Sequence, residues 1–378
     1  MSLAKSIVFL TTILCVFNTS AFSEEIIVNT KDGVTSFGIQ IDFPEHCNQR
    51  EYPAVMLVAG TGLYYRNVSL GIGGTERDLV FKDLSNRITQ NYCVATIRYD
   101  YRGVSCDLVD RPAIERCLDE DIRSSLTAKT LLEDIQLVYD TATSHPKING
   151  KKISMLGHSE GSINISRMVA RKSVSPLGVV FFGGVTESPK SLVRWQFVDR
   201  SVDYAFAMDT DSDDILTNLE IMKGYDNSQF NGVVPIQTLL SPTGVWNRFG
   251  LKTSFTYQFS FVVANSLIQP DHKPYIQNDV VFSGYGWWKK WFLDDTSVVE
   301  NLKDFTGAIT YFNGSIDSQA PSRQQMEFLA DNIHMMKTIP EFKLFEGKGH
   351  SLSSHPLYGP IDEDIADEMA AKLVEPLI

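Results

Sequence analysis

The sequence predicts an α/β protein with a mostly parallel central sheet, helices on both faces, and a helical, aromatic-rich insertion. Short continuous apolar runs, typical of strands buried on both faces, alternate with segments of helical periodicity. Several of these runs end in glycine-containing turns. Between residues 188 and 303 the alternation stops. We therefore predict a core formed by residues 24–187 and 304–378, interrupted by a lid insertion at 188–303.

The core elements can be assigned in order. The predicted strands are 25–29, 36–43, 54–58, 93–97, 152–156, 177–182, 308–312 and 341–345. The predicted helices are 79–88, 131–142, 162–171, 323–335 and 361–373, and a polar loop is expected from 104 to about 125. The first two strands form an edge hairpin. The later strands are separated by helices, so their carboxyl ends should share the edge where ligands bind.

The composition favours a folded protein that acts on small molecules. The hydrophobic fraction is 43% and the formal net charge is −12. An acidic protein is a poor candidate for binding nucleic acid or anionic membranes, because both carry negative charge. We therefore expect no nucleic-acid partner.

The first residues have the pattern of a secretory signal. Lys5 precedes an apolar run over residues 6–17, which is too short to span a bilayer comfortably. Small residues follow at Ala21 and Ser23, where a signal peptidase cleaves. We predict a signal peptide over residues 1–23, a periplasmic or secreted protein, and no stable membrane anchor after cleavage. An uncleaved anchor is the alternative.

Four cysteines remain after this segment: Cys47, Cys93, Cys106 and Cys117. An even number in an exported protein predicts two disulfides. Cys106 and Cys117 lie in one loop, and we expect them to pair. Cys47 precedes one predicted core strand and Cys93 begins the next, so they could meet at one end of the sheet. The sequence does not distinguish the three connectivities, and four buried thiols are the alternative.

The motif Gly157-His158-Ser159-Glu160-Gly161 joins a predicted strand to a predicted helix. A G-x-S-x-G stretch in this context forms a sharp, strained turn that exposes the serine hydroxyl at the carboxyl end of the strand. Its glycines let strand and helix pass close together. We therefore predict that Ser159 is a nucleophile, with a chance match as the alternative.

A nucleophilic serine needs a base, and that base needs an orienting acid. In this kind of sheet the order is serine, acid, histidine. Asp317 follows the strand at 308–312, and His350 follows the last strand in a glycine-containing loop. We predict that these two residues complete a catalytic triad with Ser159. The competing candidates are His355 for the base, and Asp304 and Glu346 for the acid.

The reaction also needs donors for an oxyanion. One is expected to be the backbone N–H of Glu160, next to the nucleophile, and the other that of Thr61, after the strand at 54–58. Glycine at position 60 lets the backbone approach an intermediate closely. An ordinary glycine turn is the alternative for this loop.

Together these motifs resemble the α/β-hydrolase superfamily, in particular its bacterial esterase-like and serine-aminopeptidase-like members. The resemblance rests on residues 59–62, 98–103 and 157–161 with Asp317 and His350, and covers roughly 25–186 and 304–378. The chain departs from the pattern at Ala59, where many members have histidine, at Ser105-Cys106, and in its long lid. The resemblance implies structural roles for Asp100 and Arg102.

The resemblance and the triad together imply a serine hydrolase that uses no organic cofactor, and the signal peptide predicts that it is exported. The aromatic-rich lid favours an acyl chain or an apolar acid, so hydrolysis of a carboxylic ester or thioester is the first expectation. A serine aminopeptidase acting on short peptide-like substrates is the second. It would need a carboxylate cluster for the free amine, for which the lid offers Asp203, Asp209 and Asp271. A non-catalytic binding protein is the third.

Residues 209–220 of the lid resemble an EF-hand calcium loop. The expected ligands are Asp209, Asp211, Asp213, the carbonyl of Ile215, Thr217 and Glu220. Asp214 stands where glycine is usual, and no second loop is evident in the sequence. The alternative is an acidic cap on the helix that follows. All five tryptophans lie in the lid, where most are expected to form its own core.

Overall fold

A computed structural model of the chain describes residues 23–71, 75–107, 111–231, 234–277 and 279–378. The predicted signal peptide, apart from Ser23, therefore lies outside the described residues. Within these ranges no helix is long and apolar enough to cross a membrane.

The described residues form strands and helices that alternate along the core. The strands are β1 (Ser23–Asn29), β2 (Ser36–Asp42), β3 (Tyr52–Val58), β4 (Ala95–Tyr99), β5 (Ile148–His158), β6 (Gly178–Phe182), β7 (Ile215–Thr217), β8 (Val245–Asn247), β9 (Pro274–Gln277), β10 (Val280–Gly284), β11 (Ala308–Gly314) and β12 (Glu341–Phe345). The helices are α1 (Val80–Asn91), α2 (Arg111–Cys117), α3 (Glu120–Ser124), α4 (Ala128–Thr143), α5 (Glu160–Ala170), α6 (Pro189–Phe197), α7 (Asp199–Phe206), α8 (Asn218–Gly224), α9 (Arg248–Ile268), α10 (Tyr285–Leu293), α11 (Val298–Leu302), α12 (Ser322–Asn332) and α13 (Glu363–Val374).

The central sheet has eight strands in the order β1-β2-β4-β3-β5-β6-β11-β12. The β1–β2 hairpin and the β2–β4 pair are antiparallel, and the remaining pairs are parallel. This arrangement confirms the predicted edge hairpin and parallel sheet. The carboxyl ends of β3, β5, β6, β11 and β12 consequently lie on one edge.

The apolar runs that predicted strands are buried. The side chains of residues 54–58 in β3 are fully buried, because the strand is central and covered on both faces. On α1, Leu84 and Ile88 are also fully buried. They lie four residues apart on one helix face, the spacing that predicted this helix.

Two predictions about irregular segments were incomplete. The expected polar loop before residue 125 contains the short helices α2 and α3, and the Asp119 carboxylate caps α3 by accepting a hydrogen bond from the Ile122 amide. The lid contains two small antiparallel sheets, β7–β8 and β9–β10, besides its helices. Strands of three to five residues are too short to produce a visible alternation.

Both expected disulfides are present. Cys47 pairs with Cys93 and Cys106 pairs with Cys117, with Cα–Cα distances of 5.7 and 5.4 Å. The first bond joins the chain before β3 to the chain before β4, at the end of the sheet opposite the carboxyl edge. The second closes the segment that contains α2.

Candidate active site

The elbow motif forms a sharp turn between β5 and α5. Ser159 has φ of 53° and ψ of −118°, a conformation that residues other than glycine rarely adopt. The glycine at 161 is required by a close approach, since a Cβ there would lie 2.4 Å from the carbonyl oxygen of Val58. The turn therefore holds Ser159 at the carboxyl edge of the sheet, as the motif predicts.

Asp317 and His350 are brought together from two neighbouring strands. Asp317 follows β11 and His350 follows β12, and the Asp317 Oδ2 lies 2.8 Å from the His350 Nδ1. Both side chains are buried. The other carboxylate oxygen of Asp317 accepts hydrogen bonds from the amides of Gln319 and Ala320, at 2.7 and 2.9 Å. The acid is thus fixed in an orientation suited to hold one tautomer of the imidazole.

The competing candidates have other partners or are exposed. The His355 Nδ1 accepts hydrogen bonds from the amides of Leu357 and Tyr358 and so organises its own loop. Asp304 is exposed and pairs with Lys337 at 2.8 Å. Glu346 is exposed as well. None of the three lines the pocket that contains Ser159.

Ser159 and His350 line the same pocket, which has a volume of about 330 Å³. The described residues include no hydrogen bond from the Ser159 Oγ to the imidazole. Hydrogen bonds between a nucleophile and its base often tighten only when substrate is bound.

The loop after β3 lies against the elbow. The carbonyls of Ala59 and Gly60 accept hydrogen bonds from the hydroxyl of Tyr101, at 2.8 and 3.0 Å. A Cβ on Gly60 would lie 2.7 Å from that of Ser159, so only glycine permits this approach. Glu160 is the first residue of α5, where backbone amides have no partner within the helix. The two predicted oxyanion residues, Thr61 and Glu160, therefore flank the nucleophile.

The Glu160 side chain was not recognised from the sequence as part of the site. It is 1% exposed, and its two oxygens accept hydrogen bonds from the Thr61 hydroxyl at 2.9 Å and the Trp287 indole N–H at 3.0 Å. Burial raises the pKa of this carboxyl to about 7, against the lowering effect of those two hydrogen bonds. The adjacent His158 is also buried, which holds its pKa well below the usual value. Its imidazole is therefore neutral.

Aromatic side chains form a large part of the pocket wall, and none of the described residues that line it is Asp, Glu, Lys or Arg. The lid contributes Trp287, Trp288 and Trp291 of α10. Trp287 and Trp291 are buried in the main core, so these tryptophans do not belong to a separate core of the lid. The lid does have such a core, formed between α7 and α9. Other lining residues missed from the sequence are Tyr64, Gln319 and Tyr358, which lie in loops without a distinctive pattern.

The carboxylates that an aminopeptidase would need lie elsewhere. Asp203 pairs with Arg248 at 3.1 Å, and Asp271 pairs with Lys289 at 2.7 Å. Asp209 accepts hydrogen bonds from amides of its own loop. None of the three lines the pocket of Ser159.

The predicted calcium loop is compact. Asp209, Asp211 and Asp213 each place a carboxylate oxygen within 4.8 Å of the others. The Asp214 amide donates to Asp209 at 3.1 Å, and Asp214 has φ of 62°, the conformation expected at the glycine position. Glu220, however, accepts hydrogen bonds from the amides of Thr210 and Thr217, as a helix cap does. Calcium binding by this loop stays a prediction.

A second loop pairs with the first, contrary to the sequence-based expectation. Residues 215–217 form β7, which pairs antiparallel with β8, and each strand leads directly into a helix. Aligning β8 with β7 places the second loop at residues 239–250, since the first loop spans 209–220. Gly244, with φ of 90°, then occupies the position that Asp214 occupies in the first loop. The second loop contains no acidic residue. It was therefore not recognisable from a pattern of cation ligands.

Comparison with known proteins gives structural matches alone, because no family model and no curated protein matches the chain. A hypothetical protein from Pseudomonas aeruginosa superimposes with a TM-score of 0.51 at 13% identity, covering 99% of this chain and 100% of that one. Est1E from Butyrivibrio proteoclasticus, solved with ferulic acid, gives 0.50 at 12% identity, with 93% and 98% covered. DcsB, solved with a substrate analogue, gives 0.50 at 14% identity, with 94% and 99% covered.

These matches, the strand order and the elbow agree. The chain has the α/β-hydrolase fold. Within this α/β-hydrolase fold, Asp100 accepts hydrogen bonds from the Arg66 guanidinium and the Gly38 amide. Arg102 donates two hydrogen bonds to Asp134, both at 2.7 Å. Neither lines the pocket of Ser159, as expected for residues that stabilise the turn after β4.

Proposed function

We propose that the protein is a serine hydrolase that cleaves an uncharged carboxylic ester or thioester through an acyl-enzyme on Ser159. The observation that carries this proposal is the pocket, in which Ser159 and the His350–Asp317 pair face a tryptophan wall. A small apolar pocket with few convergent polar groups suits an uncharged acyl group.

The proposed reaction uses the residues of this pocket in two steps. The Ser159 Oγ attacks the carbonyl carbon while the His350 Nε2 accepts its proton. The amides of Thr61 and Glu160 bind the resulting oxyanion. Collapse of this intermediate releases the alcohol or thiol, which takes the proton from His350. A water molecule then loses a proton to His350 and attacks the acyl carbon. His350 returns this proton to the Ser159 Oγ as the acid leaves, which restores the serine hydroxyl. Asp317 stabilises the imidazolium in both steps.

Labelling with a fluorophosphonate tests the nucleophile. We expect the wild-type protein to be labelled and Ser159→Ala to remain unlabelled. A Ser166→Ala variant, which changes another serine of α5 whose hydroxyl donates to the Ile163 carbonyl, is the control and should still be labelled. Equal labelling of wild type and Ser159→Ala would contradict the assignment. No labelling of wild type would favour a non-catalytic binding protein.

A panel of substrates tests the class. We expect hydrolysis of esters with apolar or aromatic acyl groups and little hydrolysis of aminoacyl anilides, because none of the described residues that line the pocket offers a carboxylate to bind a substrate amine. Preferential cleavage of the anilides would make the serine aminopeptidase the better description.

We also propose that the protein is exported. Two disulfides within the described residues support this, because such bonds persist in oxidising compartments. Mass spectrometry of the protein recovered from cell fractions tests it. A mature chain beginning at Glu24 outside the cytoplasm is the expected result, and a chain retained with residues 1–23 in the cytoplasm would contradict it.

A further inference from the structure

The helix that follows the nucleophile is joined to the tryptophan helix of the lid. Three polar contacts connect α5 to α10 and the residue after it. The Trp287 indole donates to Glu160, the Lys290 Nζ donates to the Asn164 Oδ1 at 2.9 Å, and Arg167 pairs with Asp294. The members on each helix are three or four residues apart, so each set lies on one helix face. This contact orients the tryptophan wall relative to Ser159.

Glu160 differs from the other members because it also contacts the oxyanion loop. Its carboxylate lies between the Thr61 hydroxyl and the Trp287 indole. Its own backbone amide is the second predicted oxyanion donor. One buried side chain thus joins the loop that holds one predicted donor, the helix that carries the other, and the tryptophan wall of the pocket.

A carboxylate is chemically suited to this position. Trp287 can only donate through its indole, and the Thr61 hydroxyl also donates here, so the side chain between them has to accept twice. An apolar residue at position 160 would leave a buried indole N–H without a partner, which is costly. The positive groups that face Glu160 are Lys290, at 3.9 Å, and the guanidinium groups of Arg123 and Arg167.

We propose that Glu160 is a positioning residue that sets the oxyanion loop and the tryptophan wall relative to Ser159. The inference rests on the proposed hydrolase function. Loss of its carboxylate shifts Thr61 and Trp287 together, and so lowers the turnover of every substrate and changes the preference among acyl groups.

The first test replaces the side chain at position 160. Glu160→Met keeps the length and removes both acceptors, whereas Glu160→Gln still accepts from Trp287 and can donate to the Thr61 hydroxyl. We expect kcat to fall about tenfold in Glu160→Met, because small displacements of catalytic groups cost this much or more. Glu160→Gln should recover most of the loss. The ratio of KM values for short and long acyl esters should shift in the Met variant alone.

A matched control separates positioning from a general loss of stability. Glu187 is another buried carboxylate with side-chain hydrogen bonds, to Ser191, Gln324 and Gln325, and it does not line the pocket. Glu187→Met should lower thermal stability without changing kcat per labelled molecule or the KM ratio. An equal effect of both substitutions on these quantities would overturn the inference.

A second pair of variants avoids the buried position. Thr61 is exposed, so Thr61→Val should fold normally while it removes the hydroxyl and keeps the backbone amide. We expect kcat to fall severalfold in Thr61→Val and to be restored in Thr61→Ser. In the double variant Glu160→Met with Thr61→Val the losses should not add fully, since both substitutions remove the same hydrogen bond between the Thr61 hydroxyl and position 160. Additive losses would contradict the proposed coupling.

The outcomes distinguish this inference from the proposed function. A wild-type protein that is neither labelled nor active on any ester overturns the hydrolase proposal and this inference with it. A labelled, active wild type whose kcat and KM ratio are unchanged by Glu160→Met and Thr61→Val overturns the positioning role alone.

Discussion

Ser159 has a backbone conformation that favours glycine. Its φ of 53° and ψ of −118° place an L-residue under strain. The surrounding turn holds the residue in this conformation, and the Ser159 hydroxyl is exposed to the pocket as a result. The strain at Ser159 therefore lowers the unfolding free energy of the protein, at the residue that the proposed chemistry requires.

This strain can be measured with two inactive variants. We expect Ser159→Gly to be more stable than Ser159→Ala by about 1 kcal/mol, because glycine adopts a positive φ without a steric penalty. Thermal and denaturant unfolding of both proteins would measure the difference. The same pair of substitutions at Ser162, within α5, should favour alanine instead. A more stable alanine variant at position 159 would show that the turn is not strained.

The pKa of Glu160 predicts how stability depends on pH. Burial raises this pKa from an ordinary 4.5 to about 7. Between these values the folded state binds more protons than the unfolded state, so the unfolding free energy should fall as pH rises from about 4.5 to 7. In Glu160→Gln this contribution is absent. The difference in unfolding free energy between the two proteins should therefore change within this window and be constant outside it, and parallel curves would contradict the raised pKa.

Ser159, Asp317 and His350 could be selected from the sequence because each follows an apolar strand in a fixed order. The order of the strands in the parallel sheet then brings these three residues to the same edge. The hydrogen bond between the Glu160 carboxylate and Trp287 could not be found this way, since Trp287 is 127 residues further along the chain and lies in the lid. No local pattern connects the two positions.

At the scale of elements, the long buried strands were predictable because their side chains are apolar on both faces. The short strands of the lid were not. Ile215–Thr217 and Val245–Asn247 have three residues each, and they are strands because two loops pair with one another. Pairing between segments that are distant in the chain does not produce a recognisable sequence pattern in either segment.

Calcium binding can be tested on the first of these loops. We expect isothermal titration of the mature protein to show binding of calcium, and Asp209→Ala to abolish it, because Asp209 occupies the first ligand position. Asp226→Ala, which removes an acidic residue outside the loop, should leave the titration unchanged. Absence of heat with the wild-type protein would leave Asp209 and its neighbouring aspartates as part of a loop held by its own hydrogen bonds, since Thr217 and Glu220 already cap α8.

At the scale of the whole molecule, the parallel strands bring Ser159, Asp317 and His350 together from three distant parts of the sequence. Alternation of strands and helices was enough to predict that edge. The two disulfides join other segments of the chain. Cys47–Cys93 joins the starts of β3 and β4, and Cys106–Cys117 closes a short segment beyond β4.

The two disulfides should differ in their contribution to stability. They join residues 46 and 11 positions apart, and the longer loop loses more entropy when it is closed. We expect the double substitution Cys47→Ala with Cys93→Ala to cost about 4 kcal/mol, and Cys106→Ala with Cys117→Ala about 3 kcal/mol. Denaturant unfolding would measure both. A larger loss for the shorter loop would indicate that local packing dominates.

The contacts between α5 and α10 also determine the route by which substrate enters and product leaves. Displacing the tryptophan wall as a unit would break the Trp287, Lys290 and Asp294 contacts, each of which involves a buried ionisable side chain. Exchange with solvent is therefore expected on the other side of the pocket, past the exposed side chains of Gln277 and Tyr358. A bulky residue in place of Gln277 would narrow this route, and we expect it to slow both substrate entry and product release without changing the chemistry at Ser159 once substrate is bound.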